Sequence, residues 1–178
     1  MRFDVGCDLD EFRRYQRNSG IHEYLRSVGV TDVVFGELGP IEVAHIERDP
    51  SHLIVWREGS EIIGHVIWHE ERVDGFRLPG EEEVRMVLER LLGEKKGFVE
   101  LHTVWLEEKH RGKGHGKKFF EFFEDYAKKM GFDSIVYYSG NPAVIDICRK
   151  RGYREDILSY PEKEKGHAFY LSLLSADK

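Results

Sequence analysis

In the stretch Arg111-Gly112-Lys113-Gly114-His115-Gly116-Lys117-Lys118, glycine occupies alternate positions among basic residues. Glycine lacks a Cβ atom and reaches positive φ at little cost, so successive backbone N–H groups can turn toward one anion. Apolar residues from Phe98 to Leu106 precede the stretch, and aromatic residues follow it at helical spacing. We therefore predict a loop between a strand and a helix start, where unpaired N–H groups and basic side chains suit a pyrophosphate.

Two common glycine-rich motifs do not fit this loop. A Walker A sequence needs Gly at position 111 and Ser or Thr at 118, where Arg111 and Lys118 stand. A dinucleotide fingerprint needs Gly at 117 or 119, where the chain has Lys117 and Phe119. The loop does resemble the Arg/Gln-x-x-Gly-x-Gly/Ala motif of the GNAT superfamily of acyl-CoA N-acyltransferases. A flexible basic surface loop is the alternative interpretation, and the residues further along the chain decide between the two.

A second resemblance to GNAT proteins lies downstream of the loop. Residues 134–138 read as a strand, and Asn141 with Pro142 opens a short helix that closes before Gly152 and Tyr153. Asn141, Ala143, Gly152 and Tyr153 resemble the end of the GNAT core. Cys148 departs from it, because the family often has a general-acid Tyr at that place. The resemblance implies an α/β fold over residues 1–178, a single GNAT domain with a central mixed twisted β-sheet flanked by helices.

The resemblance also implies acetyl-CoA as co-substrate and assigns residues to it. Extended pantetheine can pair with an exposed strand edge, as peptides do. Backbone groups of Val104 and Leu106 would hold pantetheine and the acyl carbonyl, with Trp105 contributing backbone. The loop would wrap the pyrophosphate through Arg111, Gly112, Lys113, Gly114, His115, Gly116 and Lys117. Asn141 has two compatible interpretations, a helix cap before Pro142 and a cofactor contact.

Glu100 and His102 are the candidate catalytic residues. Both are spaced by two from Val104 and Leu106, so on a regular strand all four side chains share one face beside the thioester. Glu100 resembles in position the catalytic Glu of family histone acetyltransferases. Positions 100 and 102 also resemble the places of the paired histidines in serotonin N-acetyltransferase, and this chain has His102 at the second of them. A polar pair at a strand end is the alternative, and His69 and His110 are further candidate bases.

The general acid is left open by the sequence. Cys148 has a thiol that could protonate a departing thiolate, but a buried Cys more often acts as a small hydrophobic residue. Tyr137 or Tyr138 could serve instead, or the thiolate could leave without an acid. The reaction class predicted is N-acetylation of a small amine, polyamine or protein amino group. A non-catalytic acyl-CoA sensor is the alternative, and it needs the loop but no base.

Composition sets further expectations. The 178 residues, 40% hydrophobic, suit one domain with a real core. A net charge of -6 argues against a nucleic-acid surface, and no apolar run is long enough for a membrane span. We expect a cytoplasmic protein without a metal site, since its two Cys residues show no zinc spacing. Abundant charge and scarce Asn and Gln resemble a thermophilic protein. The oligomeric state is open, a homodimer included.

The patterns in the rest of the sequence predict further helices and strands. Asp8 or Asp10 is predicted to cap a first helix that contains Phe12. The apolar spacing of residues 21–28 predicts a second helix. In GNAT proteins this two-helix region borders the acceptor site. Residues 31–47 allow one or two short strands. Segments 53–57 and 62–68 predict a hairpin. We expect a helical insertion around residues 79–93 that ends at Gly93, and two last strands at 153–158 and 167–173.

Overall fold

The computed structural model describes residues 1–21, 23, 44, 46–77, 81–95, 97–159 and 165–174. Its strands are β1 (Arg2–Val5), β2 (Leu53–Glu58), β3 (Glu61–Arg72), β4 (Gly97–Leu106), β5 (Ser134–Ser139), β6 (Arg154–Ser159) and β7 (Lys165–Ser172). The helices of this part are α1 (Leu9–Asn18), α2 (Glu82–Leu92), α3 (His115–Lys129) and α4 (Pro142–Lys150). Short 3-10 turns lie at Pro50–His52, Val73–Gly75 and Glu108–His110.

The strands form one seven-stranded sheet in the order β1-β2-β3-β4-β5-β7-β6. Strands β4 and β5 run parallel, whereas β1 with β2, β2 with β3, β5 with β7 and β6 with β7 run antiparallel. A parallel pair needs a long crossover, and the segment that contains α3 supplies it. The predicted mixed sheet with flanking helices is therefore confirmed.

The chain divides into two compact units. The first comprises Met1–Trp68 and Thr103–His115. Its core buries side chains of α1 and of the β2–β3 hairpin, with Phe12 and Leu53 fully enclosed. Helix α1 begins where predicted, because the Asp8 carboxylate accepts a hydrogen bond from the Glu11 N–H at 2.8 Å.

The second unit comprises His69–His102 and Gly116–Lys178. Its main core packs α2 against β-strand residues, and Val87 and Leu88 are fully buried there. The predicted helix around residues 79–93 is confirmed, and it stops at Gly93, which has φ of 65° and donates its N–H to the Glu89 carbonyl at 3.0 Å. Helix α3 buries Phe119, Phe123 and Ala127, one side chain per turn.

Several sequence predictions differ from the structure in detail. The predicted hairpin and the last two strands are confirmed within two residues at each end, except that β3 continues to Arg72, four residues past its predicted end at 68. Strand β1 was not predicted, because four residues carry too short a pattern and the strand forms by pairing with β2. Ile46 and Glu47, placed in a possible strand, are helical, and the fully packed Ile46 joins the Phe12 core. Most of the predicted second helix lies outside the described residues.

No helix in the described ranges combines the length and the apolar character needed to cross a membrane.

Candidate active site

The glycine loop has the backbone that its sequence predicts. Gly112 has φ of 73° and Gly114 has φ of 78°, a conformation that residues with a side chain rarely adopt. A Cβ atom added to either residue would meet no atom within 4 Å. Helix α3 begins one residue later at His115, so its first N–H groups have no intrahelical acceptors. This backbone leaves room for an anion at the helix start.

Gly116 has a different physical reason from the other two glycines of the loop. It lies inside the first turn of α3, and a Cβ atom there would lie 3.2 Å from Ile147 Cδ1 of α4. That distance is tighter than most real Cβ contacts, so glycine allows α3 and α4 to pack closely at this point. The structure explains Gly116 by packing, and its predicted contact with a cofactor stays a prediction.

Arg111 fastens the loop to the end of β4. Its Nε donates to the Leu106 carbonyl at 2.9 Å, and its guanidinium carbon lies 4.6 Å from the ring centroid of Trp105. The attraction between a cation and the face of an aromatic ring adds to the stabilisation that the hydrogen bond gives. Lys113 and Lys117 are exposed, and Lys117 Nζ lies 3.9 Å from Glu121. The loop therefore combines one arginine held by contacts at the end of β4 with two exposed lysines.

The end of β4 offers backbone to a ligand. The parallel ladder with β5 pairs Val99 to Leu101, and residues 104–106 lie beyond its end. The side chain of Trp105 is buried, and its indole N–H donates to Glu107 at 3.0 Å. The indole is therefore used in packing, which agrees with the prediction that Trp105 contributes only backbone.

Glu100 and His102 lie together, and two residues of β3 join them. The Glu100 carboxylate is buried, and its Oε1 lies 3.9 Å from His102 Nδ1, while the His102 side chain is 43% exposed. The His69 ring centroid lies 5.4 Å from that of His102. His69 Nε2 in turn lies 3.2 Å from Glu71 Oε1. Two carboxylates and two imidazoles thus form one cluster within the second unit.

Within this cluster, the pKa of Glu71 is raised above its ordinary value. Burial raises the pKa of Glu71, and the neighbouring Glu100 carboxylate raises it further, because two negative charges repel each other. Sequence analysis named His69 only as a reserve candidate and missed Glu71. The available signal was the spacing of two between His69 and Glu71, which puts both side chains on one face of β3.

The candidate general acids differ sharply in environment. Cys148 is fully buried, and desolvation together with Glu124 and Glu155 raises its pKa to about 12. A thiol with this pKa is a poor proton donor to a thiolate with a pKa near 8.5. Burial and the raised pKa argue against the Cys148 thiol as the acid in place of the family Tyr.

As a candidate general acid, Tyr138 is better placed than Tyr137. Glu100 of β4 is paired in register with Val136 of β5, so side-chain alternation puts Tyr138 on the sheet face of Glu100 and His102. Tyr137 lies on the opposite face, where its ring centroid is 5.8 Å from that of Phe120 in α3. Of the two tyrosines, only Tyr138 therefore shares the sheet face of Glu100 and His102, and its role as general acid stays a prediction beside departure of the thiolate without an acid.

Asn141 caps α4. Its side-chain oxygen accepts a hydrogen bond from the Ala143 N–H at 2.9 Å, and Pro142 occupies the first helical position. The capping interpretation is confirmed, and the contact with a cofactor stays a prediction. The other end of the helix closes on Gly152, with φ of 80°, followed by a Tyr153 N–H bond to the Cys148 carbonyl at 3.0 Å.

The mixed sheet, the glycine loop at a helix start and the acid-imidazole cluster define a protein of the acyltransferase class. The chain belongs to the acetyltransferase (GNAT) family, whose sequence model matches residues 19–155. A comparison with curated protein sequences finds no match.

Solved structures share the fold at low sequence identity. An agmatine N-acetyltransferase variant in its apo form has a TM-score of 0.70 and 11% identity, covering 96% of this chain and 98% of that one. The Salmonella typhimurium protein yncA with its cofactor acetyl-CoA has a TM-score of 0.61 and 15% identity, covering 99% and 96%. The NatC complex bound to Gag peptide and CoA has a TM-score of 0.61 and 14% identity, covering 97% and 99%. At these identities the likeness shows the fold alone.

Proposed function

We propose that the protein is an acetyl-CoA-dependent N-acetyltransferase that acts on a primary amine. The observation that carries this proposal is the cluster of Glu100 and His102 with His69 and Glu71. A protein that only binds acyl-CoA needs an anion loop and a strand edge, but it has no use for a buried carboxylate beside two imidazoles. Membership of the acetyltransferase family supports the same reaction class.

The reaction removes two protons from the amine nitrogen and releases one leaving group. The protonated amine must lose its first proton before it attacks the thioester carbonyl, and a base of this cluster accepts that proton directly or through one water. A new N–C bond then forms and the carbonyl oxygen carries negative charge. The nitrogen loses its second proton, which balances the one that the thiolate takes up, and collapse of the intermediate breaks the C–S bond. Backbone N–H groups near Val104 and Leu106 are the proposed donors to that oxygen.

The released thiolate takes up a proton, and Tyr138 is the residue that we assign to supply it. The strand register supports this assignment, because it puts Tyr138 on the sheet face of Glu100 and His102. The acyl donor would be bound by the loop from Arg111 to Lys117, with acetyl-CoA as co-substrate. The structural relatives that carry acetyl-CoA or CoA support this choice of donor.

The acceptor is proposed only as a class. The structural relatives include one named for agmatine and one bound to a peptide, so a small amine, a polyamine and a protein amino group all fit the fold. An overall charge of -6 suits a cationic acceptor.

The second candidate is a non-catalytic acyl-CoA sensor. The buried Cys148 at the place of the family Tyr favours it, because no conventional general acid stands there. One experiment separates the two functions. Acetyl-CoA is mixed with a panel of amines and peptides with free amino groups, CoA release is followed with a thiol reagent, and the acceptor is checked by mass spectrometry.

An enzyme acetylates at least one acceptor and releases one CoA per acetyl group. A sensor binds acetyl-CoA in calorimetry and acetylates no acceptor of the panel. Pantetheine, which lacks the pyrophosphate, should bind far more weakly than CoA if the loop holds the phosphates. Equal binding of pantetheine and CoA would contradict the assignment of the loop.

A further inference from the structure

Besides the cluster of Glu100, His102, His69 and Glu71, a second group of titratable side chains lies within the first unit. Glu58 ends β2, His110 ends the 3-10 turn before the loop, and His115 begins α3. One potential ligand atom from each of these residues lies within 4.8 Å of the other two. We propose that Glu58, His110 and His115 bind a divalent transition-metal ion of the Zn²⁺ type.

One pair of these residues has the separation that a tetrahedral ion requires. His110 Nδ1 lies 3.4 Å from Glu58 Oε2. For metal–ligand bonds of about 2.0–2.1 Å, two ligand atoms of a tetrahedron are separated by roughly 3.3–3.4 Å. The Glu58 side chain is 55% exposed, so it can rotate to complete the geometry without disturbing the core. A water molecule would occupy the fourth position, as in zinc sites with three protein ligands.

The environment of His110 is the second observation that indicates a ligand. Its side chain is only 8% exposed, and neither ring nitrogen makes a hydrogen bond to any residue that the structure describes. Buried polar groups without partners are rare in folded proteins, because desolvation is then uncompensated. A metal ion bound through Nδ1 would satisfy one nitrogen and explain why a histidine is buried beside a carboxylate.

The type of ion follows from the donor set. Two imidazoles and one carboxylate suit Zn²⁺, Co²⁺ or Ni²⁺, whereas Mg²⁺ and Ca²⁺ prefer oxygen ligands alone. The two histidines also flank the glycine loop, since residues 111–114 lie between them in the chain. Binding would therefore hold the two ends of the loop together. Metal binding can be tested independently of the function proposed above, because the titration uses neither the acyl donor nor the acceptor, although His115 also belongs to the loop that we propose for the acyl donor.

The test is a calorimetric titration of the full chain with ZnCl₂ near neutral pH, repeated with Co²⁺ followed by its visible absorption. We expect saturable binding of one ion at this site and the absorption bands of tetrahedral Co²⁺. Glu58→Gln and His115→Gln should each weaken Zn²⁺ binding at least about tenfold, since each removes one of three protein ligands. Glu58→Gln alters an exposed side chain, so its circular dichroism should match that of the parent protein.

The matched control is His102→Gln, because His69, Glu100 and His102 form the other group of possible ligands in the described residues. That substitution should leave the affinity of the Glu58 site unchanged. The proposal is overturned if the parent protein binds no Zn²⁺ at millimolar concentration, or if Glu58→Gln and His115→Gln both keep the parental affinity. It is also overturned if His102→Gln alone abolishes binding, since the ion would then belong to the other group.

Discussion

At the residue scale, the proposed chemistry depends on the proton acceptor beside β4. Glu100 is buried and His102 is partly open, so the imidazole has the better access to an incoming amine, while the carboxylate orients it or accepts the proton through water. His69 and Glu71 extend the pair into a cluster that can keep or pass on a proton.

The first prediction concerns this base. Glu100→Gln and His102→Ala should each lower kcat by about a hundredfold to ten-thousandfold while CoA affinity changes little, because the groups act in the proton transfer. Raising the pH should narrow the gap, since more of the amine is then already deprotonated. Steady-state rates from pH 6 to 9 on an identified acceptor, together with calorimetry of CoA, measure both effects.

Glu89→Gln is the matched control for Glu100→Gln, because Glu89 is an exposed carboxylate on α2. It should keep the parental rate. If both single variants and the double variant keep parental rates over the whole pH range, base catalysis from β4 is wrong, and His69 becomes the residue to test.

The second prediction concerns the proton donor. Cys148→Ala should keep kcat within about threefold, because a thiol whose pKa is raised to about 12 gives up its proton too reluctantly to act as the acid. Tyr138→Phe should lower kcat by about a hundredfold, which is the lower end of the usual range for acid-base groups. Both are measured with saturating acetyl-CoA on the same acceptor.

Tyr137→Phe is the control on the opposite face of β5, and it should leave kcat nearly unchanged. A hundredfold loss in Cys148→Ala with normal CoA binding would restore the thiol as the acid. Equal losses in Tyr137→Phe and Tyr138→Phe would show that the hydroxyl groups act through stability and not through the reaction.

At the element scale, the start of α3 combines two uses of glycine. Gly112 and Gly114 give the loop its positive φ, whereas Gly116 lets α3 approach α4. The sequence alone shows three glycines at alternate positions and cannot separate these roles. The separation needs the backbone angles and the position of Ile147, which depend on how distant parts of the chain pack.

The third prediction tests the loop. Gly114→Val should weaken CoA binding at least about tenfold while the protein stays folded, because the new side chain stands on the surface where backbone N–H groups would meet the phosphates. Among the described residues, apart from Gly114 and its two chain neighbours, nothing lies within 4 Å of the added Cβ, so a clash of that atom does not explain the loss. Calorimetry with CoA measures the affinity.

Gly131→Val is a closely matched control. Gly131 has φ of 87°, against 78° for Gly114, and its added Cβ also meets no atom within 4 Å. Both substitutions should therefore cost similar backbone strain, of order 1–3 kcal/mol. Only Gly114→Val should change CoA affinity. Equal CoA affinity in the two variants would show that the loop does not hold the cofactor.

At the scale of the whole molecule, the strongest sequence predictions were those supported by local chemistry. The cap at Asn141, the stop at Gly93 and the strand-loop-helix order around Gly114 follow from backbone requirements of neighbouring residues, and the structure has all of them. Strand β1 and the grouping of Glu58, His110 and His115 could not be predicted, and neither could the position of Glu71 beside Glu100, although its spacing from His69 showed a shared strand face. Each depends on strand pairing or on contacts between residues far apart in sequence, which no local pattern encodes.

Arginine–carboxylate pairs in both units make the stability of the protein depend on pH in the acid range. Hydrogen bonds from arginine lower the pKa of Glu11, Glu155 and Asp156, the donors being Arg57, Arg149 and Arg90. A carboxyl whose pKa is lower in the folded state stabilises the fold above its unfolded pKa, and this contribution is lost as the pH falls through the folded pKa. Glu71 acts in the opposite sense, because its pKa is raised.

The fourth prediction isolates one of these contributions. The pKa of Glu11 falls from 4.5 to about 2, mainly because Arg57 donates to it at 2.8 Å from both Nη1 and Nη2. Its contribution to stability should therefore be complete above pH 4.5 and fade as the pH falls toward 2. Glu11→Gln should lower Tm at pH 7 and flatten the decline of Tm below pH 4.5. Thermal unfolding followed by circular dichroism from pH 2 to 7 gives both quantities.

Asp10→Asn is the control on the same turn of α1, where the Asp10 side chain is 77% exposed and only 3.5 Å from Arg13. An exposed pair contributes little, so this variant should follow the parental curve closely. A Glu11→Gln curve that runs parallel to the parental one through pH 4.5 to 2 would show that the Arg57 pair does not stabilise the first unit. The acid sensitivity of the molecule would then have to come from the pairs of Glu155 and Asp156 in the second unit.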